Sequence, residues 1–297
     1  MEKIEALRVP ALSRRLFLAG LGGSAAALAI GGCTESMSTP APPKSSTTIT
    51  ATDTDILNFA LNLEYLEAEY YLLAATGAGL SDADAGSGAG SVTGGAQVSF
   101  KTPEIQEFAM EIANDELAHV RDLRKALGSA AVSRPAIDFT NSFNAAAQAA
   151  GIGSMFNPFA DEDSFLLGAF TFEDVGVTAY HGAAPLIGNT TVLQAAAAIL
   201  AVEAYHAGGI RTMIVDLGDD FVTNANKISA LRAAAGGGNE TPLSPTTIVA
   251  ANSNSIAFDR TPSEVLHIVY LNPQPGVIKS GGFFPNGLNG NISATAS

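Results

Sequence analysis

The chain has 297 residues, 47% of them apolar, a formal net charge of −14 and a single cysteine. Acidity of that size repels nucleic acid and anionic lipid headgroups, so neither is an expected partner, and one cysteine excludes an internal disulfide framework. The length and the apolar share suffice for one sizeable core.

Residues 1–33 read as an export signal. Arg14 and Arg15 precede an apolar run of small residues that ends at Ile30-Gly31-Gly32-Cys33. The paired arginines resemble a twin-arginine motif, and the segment before Cys33 resembles the box at which bacterial lipoproteins are cleaved and lipidated. The run is about fifteen residues long, short of the ~20 that a spanning helix needs, so cleavage is expected in preference to an uncleaved anchor. Removing residues 1–32 takes away four basic and two acidic side chains, which moves the net charge from −14 to −16. A periplasmic or cell-surface location follows as an expectation, with membrane contact only through a lipid on Cys33.

Residues 34–52 are rich in Ser, Thr and Pro and read as a disordered tether. Apolar residues then recur at helical spacing over 53–76, 102–127, 163–186 and 190–217. The second of these segments opens with Thr102 as N-cap, Pro103 at the first helical position and Glu104 in the first turn, and Gly128 follows its end. Residues 77–100 form a Gly/Ser-rich connection. It has no lysine and no strand-to-helix context, which excludes a phosphate cradle. About 35 residues separate the second and third segments, enough to run back along a helix of ~36 Å. Only Gly188 and Asn189 break the third from the fourth, which makes those two antiparallel neighbours. The reading is an all-α four-helix bundle over 53–218, two antiparallel hairpins joined by a long crossover. A mostly irregular extension over 219–297 packs on it. Within the extension, Thr261, Pro262 and Glu264 predict one short helix, and Phe283 and Phe284 are expected to be buried.

The chemistry sits on the buried faces. The chain holds four histidines, and two of them stand three residues after a glutamate, as Glu116/His119 and Glu203/His206. On a helix that spacing aims a carboxylate and an imidazole at one point. Both pairs interrupt the apolar stripe: Ile112, Glu116, His119 and Leu123 in one helix, Ile199, Glu203, His206 and Ile210 in the other. The first and third helices each place a carboxylate on the same kind of stripe, Glu64 and Glu173, each followed seven residues on by a tyrosine, Tyr71 and Tyr180. Four buried carboxylates together demand positive charge, because each ion costs several kcal/mol to desolvate. Two divalent cations match four glutamates, with two neutral imidazoles completing the set. Hard carboxylate and imidazole donors favour iron, then manganese, with zinc also admitted. Glu67, one turn from Glu64, is the alternative first ligand; Glu64 keeps the register with Tyr71 that Glu173 keeps with Tyr180. The two tyrosines read equally as hydrogen-bond partners of the ligand carboxylates and as ordinary core aromatics. His181 and His267 read as packing histidines.

The set Glu64, Glu116-x2-His119, Glu173 and Glu203-x2-His206, on four helices with a long crossover, resembles the ferritin-like di-iron carboxylate bundles over roughly residues 55–217. The C-terminal "RTPSEVLHIVYLNPQPG" and "GGFFPNGLNG" resemble the tail of exported ferritin-like proteins related to plant desiccation-induced proteins. The resemblance implies an oxidoreductase that reacts with dioxygen or peroxide, oxidising ferrous iron or removing peroxide. Its alternative is a non-catalytic, stress-protective protein with a structural or vestigial metal site. Expected partners are metal ions, small oxidants and further copies of the chain; the tether and the tail argue against a closed ferritin cage.

Overall fold

The computed structural model describes residues 51–296. The export motif with Arg14 and Arg15, Cys33, and the tether up to residue 50 lie outside them. In chain order the elements are α1 (Ala51–Thr76), α2 (Asp82–Ala85), β1 (Val92–Thr93), α3 (Pro103–Leu127), β2 (Ile137–Asp138), α4 (Thr140–Ala150), α5 (Glu162–Ala183), α6 (Thr190–Leu217), α7 (Asp219–Ala235) and α8 (Pro262–Val269). Helix α1 packs along α3 and α5 along α6, which makes the two hairpins, and α1 also meets α5 across the bundle. No helix among the described residues is long and apolar enough to cross a membrane.

Several helix starts follow capping chemistry, and α3 departs from the sequence expectation. Asp161 accepts from the Ser164 N–H at 2.8 Å and opens α5. Thr261 and Glu264 cap each other at the start of α8, as the sequence predicts. Thr102 stands at the N-cap of α3 but its side chain does not cap. Its hydroxyl instead donates to Glu162 Oε1 at 2.9 Å, and Glu162 Oε2 accepts from the N–H groups of Lys101 and Thr102. The carboxylate that opens α5 thus also ties down the start of α3.

The connections hold more structure than their composition suggests. Residues 77–100 carry α2 and β1, and β1 pairs in parallel with β2 from the crossover, Val92 against Ile137. The crossover itself contains α4, whose Phe143 and Ala147 are buried. The extension begins with α7, seventeen residues long and absent from the sequence reading. Its buried positions are Ala225, Ile228, Ser229 and Arg232, so two of its four inward residues are polar and the apolar stripe is broken.

That polar pair belongs to a cluster that fastens the extension to the bundle. Arg211, Arg232 and Arg260 are all fully buried around Asp174 and Glu240. Arg232 donates to Asp174 Oδ2 at 2.7 Å, to both Glu240 oxygens and to the Phe170 carbonyl, and its guanidinium lies 4.6 Å from the Phe170 ring centre. Arg211 donates to Asp174 Oδ2 at 2.9 Å and Arg260 to Glu240 Oε1 at 2.7 Å. Backbone carbonyls of Ile248, Thr241, Gly236 and Asn239 and the Thr178 hydroxyl accept further donors of the three guanidiniums. Gly182 of α5 admits this strand of the tail: a Cβ there would stand 1.9 Å from the Arg260 carbonyl oxygen. Farther on, Phe283 and Phe284 are buried as expected, with the Phe283 ring 5.1 Å from Phe143 and 4.9 Å from Phe172. Burying a side chain of that size contributes about 1.5–3 kcal/mol.

Candidate metal centre

The structure brings all six sequence-predicted donors together near the middle of the bundle. Glu64 comes from α1, Glu116 and His119 from α3, Glu173 from α5, and Glu203 and His206 from α6; all six are buried. They converge because each interrupts the inward stripe of its helix, where the pull of neighbouring Leu, Ile and Ala side chains fixes which face turns inward.

Two groups of donor atoms form. Glu64, Glu116, His119 and Glu203 lie within 4.8 Å of one another, and so do Glu116, Glu173 and His206. Glu116 belongs to both. Its Oε2 lies 3.3 Å from His119 Nδ1 and its Oε1 lies 3.1 Å from His206 Nδ1, so one carboxylate faces both groups. His119 Nδ1 is also 3.2 Å from Glu64 Oε2 and 3.5 Å from Glu203 Oε1, and His206 Nδ1 is 3.6 Å from Glu173 Oε2. The imidazole ring centres are 6.4 Å apart.

Both tyrosines hydrogen-bond to the site, though each across the bundle and not along its own helix. Tyr71 donates to Glu173 Oε1 and Tyr180 to Glu64 Oε1. Burial holds both phenols well above their usual range, so they remain neutral donors at neutral pH. The exchange shows that α1 and α5 run antiparallel, since the higher number on one helix meets the lower on the other. The same exchange links α3 and α6, where His206 meets Glu116 and His119 meets Glu203. The equal spacings, seven residues in one pair of helices and three in the other, let all the cross-contacts form at once. Of the two alternatives on α1, Glu64 stands in a donor group and Glu67 does not. Glu67 is buried one turn away, next to Glu203, and accepts no hydrogen bond among the described residues.

The donor set fits metal ions. Glu116 Oε1, Glu173 Oε2, both oxygens of Glu203 and His206 Nδ1 are buried without a hydrogen-bond partner. His206 Nδ1 and Glu116 Oε1 lie 3.1 Å apart but are not aligned as a hydrogen bond. Five such atoms in one spot would each cost about 1–3 kcal/mol, and cations are the partners that suit them all. The electrostatics agree. Burial, reinforced by the Glu116 charge, pushes Glu64 up to about 7. Burial and the surrounding carboxylates hold Glu203 and Glu67 well above the ordinary range. Burial acts against the charged forms of Glu116 and the two imidazoles too, but their mutual attraction outweighs it. Glu116 falls well below the carboxylate range, while His119 is pushed up to about 11 and His206 to about 12.

A pH dependence follows. Metal ligation needs neutral imidazoles and ionised carboxylates, and every raised group must surrender its proton first. Loading is therefore expected to tighten as pH rises from 5 to 8 and to release protons. Titration calorimetry in two buffers of different ionisation heat measures that release, and pH-independent loading without proton release would contradict it.

Two features of the site were not predicted from sequence. His206 Nε2 lies 3.1 Å from Asp115 Oδ2, a carboxylate that keeps 43% side-chain exposure. Such a partner fixes the ring so that Nδ1 faces the donor group. The position matching Asp115 in the other Glu-x2-His segment is Val202, so the two halves of the site differ here. Asp115→Ala is expected to weaken metal binding about 10–100-fold, read by competition with a chelator; unchanged affinity would make Asp115 a mere surface acid. The second feature is Gly176, one turn after Glu173. A Cβ there would stand 2.3 Å from Glu203 Oε2 and 3.3 Å from Glu67 Oε1, so only glycine admits both carboxylates. No sequence signal marked either residue. His181 and His267 lie elsewhere, each donating from Nδ1 to a backbone carbonyl, of Phe258 and Asn272.

The description "ferritin-like domain" matches residues 52–216, the bundle with all six donors. The chain belongs to this family. Among curated proteins it is similar to "Ferritin-like catalase Nec2" of Nesocodon mauritianus, 30% identical over 267 residues that cover 81% of this chain and 85% of the relative. It is also similar to "Desiccation-related protein PCC13-62" of Craterostigma plantagineum, 29% identical over 245 residues that cover 73% of this chain and 77% of the relative. Both alignments are longer than the bundle, so the ferritin-like core and part of the flanking sequence are shared.

Proposed function

We propose that the chain is a two-metal oxidoreductase that removes hydrogen peroxide outside the cytoplasm. The observation that carries this reading is Glu116, whose two oxygens face two separate donor groups, each with its own histidine. One ion would be held by Glu64, His119, Glu203 and Glu116, the other by Glu116, Glu173 and His206, with iron favoured and manganese next. Such a pair supplies two-electron exchange, as one hydrogen peroxide is oxidised to dioxygen and a second is reduced to two waters. The rest falls to the protein. Tyr71 and Tyr180 fix the outer oxygens of Glu173 and Glu64, which leaves one oxygen of each for the site. Glu67 is buried beside Glu203, where it is placed to exchange a proton with the site. The name of the Nesocodon relative, a ferritin-like catalase, supports peroxide over ferrous iron as the substrate. The resemblance of the segment around Arg14 and Arg15 to an export motif, and of the residues before Cys33 to a lipoprotein box, supports action at the outer side of the membrane.

An oxygen electrode tests the reading. Metal-loaded protein is expected to evolve one dioxygen for every two molecules of hydrogen peroxide consumed. Protein that keeps its metal and evolves none would sink the catalytic reading. It would leave the second one, a metal-stapled protective protein, which the desiccation-related Craterostigma relative supports.

A further inference from the structure

Beside the metal centre lies a cavity of about 50 Å³ whose wall is almost wholly apolar. It is enclosed by α1, α4, α5, α7 and α8, with Leu63, Phe143, Phe172, Val175, Ile228 and Ile268 among its lining. At ~10–15 Å³ for each water-sized molecule it holds roughly three. Its outer end is bounded by half-buried Ile152 and Leu231 and by exposed Pro273, and its inner end by Glu67 and Gly176.

The polar groups in that wall are engaged, with one exception. The Thr171 hydroxyl donates to the Leu167 carbonyl at 3.2 Å. Arg232 is consumed by Asp174, Glu240 and the Phe170 carbonyl. Glu67 alone accepts no hydrogen bond, and it sits where the cavity meets the donor set. The partition there is Gly176 itself, against which the Glu203 and Glu67 carboxylates pack in the space a Cβ would need. Apolar cavities of this kind stay dry and take up small apolar molecules. Hydrogen peroxide, which hydrogen-bonds as water does, gains nothing on entering one.

We propose that this cavity is the dioxygen conduit of the metal centre, meeting the donor set at Gly176 and Glu67, and that hydrogen peroxide does not use it. The proposal rests on the oxidoreductase reading above. Dioxygen formed from hydrogen peroxide leaves through it, and dioxygen meeting a reduced centre arrives through it.

The test uses Ala147→Leu, which fills the cavity from α4, and Ala146→Phe, which obstructs its half-buried outer end and tolerates packing better; neither residue touches the donors. Xenon under pressure is expected to bind in the wild-type cavity and not in Ala147→Leu. Oxidation of reduced, metal-loaded protein by dioxygen is expected to slow at least tenfold in both variants, while oxidation by hydrogen peroxide and metal content stay unchanged. Wild-type and variant proteins that react with dioxygen equally fast, with no xenon in the cavity, would overturn the conduit and leave the functional reading intact. Wild-type protein that binds metal yet reacts with neither oxidant would overturn the functional reading and the conduit with it.

Discussion

Glu116→Ala is expected to lose both metal ions and to cut hydrogen peroxide turnover by more than about 100-fold. The floor is set by partners one step removed from a metal, whose loss already costs 10–100-fold; Glu116 faces both donor groups directly. Alanine removes the one carboxylate held firmly ionised between the two imidazoles. The consequence is joint failure of both halves of the site, whereas Glu173→Ala is expected to strip chiefly the group that contains His206. Metal content by mass spectrometry and Tm with and without added metal check this. A ligand at 100 times its Kd stabilises by about 2.7 kcal/mol, so wild-type Tm should rise on loading and that of Glu116→Ala should not. A variant that retains both ions would remove Glu116 from the bridging role.

The largest effect on the fold is expected at Arg232. Alanine there leaves Asp174 and Glu240 short of a shared cation in a fully buried setting, which costs about 3–5 kcal/mol in denaturant unfolding. Lysine should rescue little. Arg232 reaches Phe170, Asp174 and both oxygens of Glu240 through its planar fork, and a single ammonium cannot span them. Because Asp174 follows Glu173 in α5, loosening this cluster is also expected to weaken metal loading at the His206 group. A variant as stable as wild type would mean that Arg211 and Arg260 suffice to hold the extension.

The four bundle helices and their donors were legible because the donors break otherwise apolar stripes, a pattern that 3.6-residue periodicity exposes. Short glycine breaks and one long connection then set the hairpins and the crossover. Helix α7 escaped because Ser229 and Arg232 occupy its inward face, and their worth depends on Asp174, Glu240 and Phe170, all remote in sequence. Helix α4 escaped because alanine fills five of its eleven positions and gives little periodic contrast. The pairing of β1 with β2 joins two two-residue strands more than forty residues apart, too short to leave an alternating pattern. At the site, the seven-residue spacing from Glu64 to Tyr71 and from Glu173 to Tyr180 was visible as a repeat. Its meaning required the antiparallel course of α1 against α5, which swaps the partners. Asp115 carries no signal in the sequence, because only the fold brings His206 to it.

Metal analysis of the purified protein by mass spectrometry reads out whether two metal ions share Glu116. About two iron or manganese ions per chain are expected at saturation, lost together in Glu116→Ala. One ion per chain that survives Glu116→Ala, or none in protein that is folded and supplied with metal, would contradict that sharing.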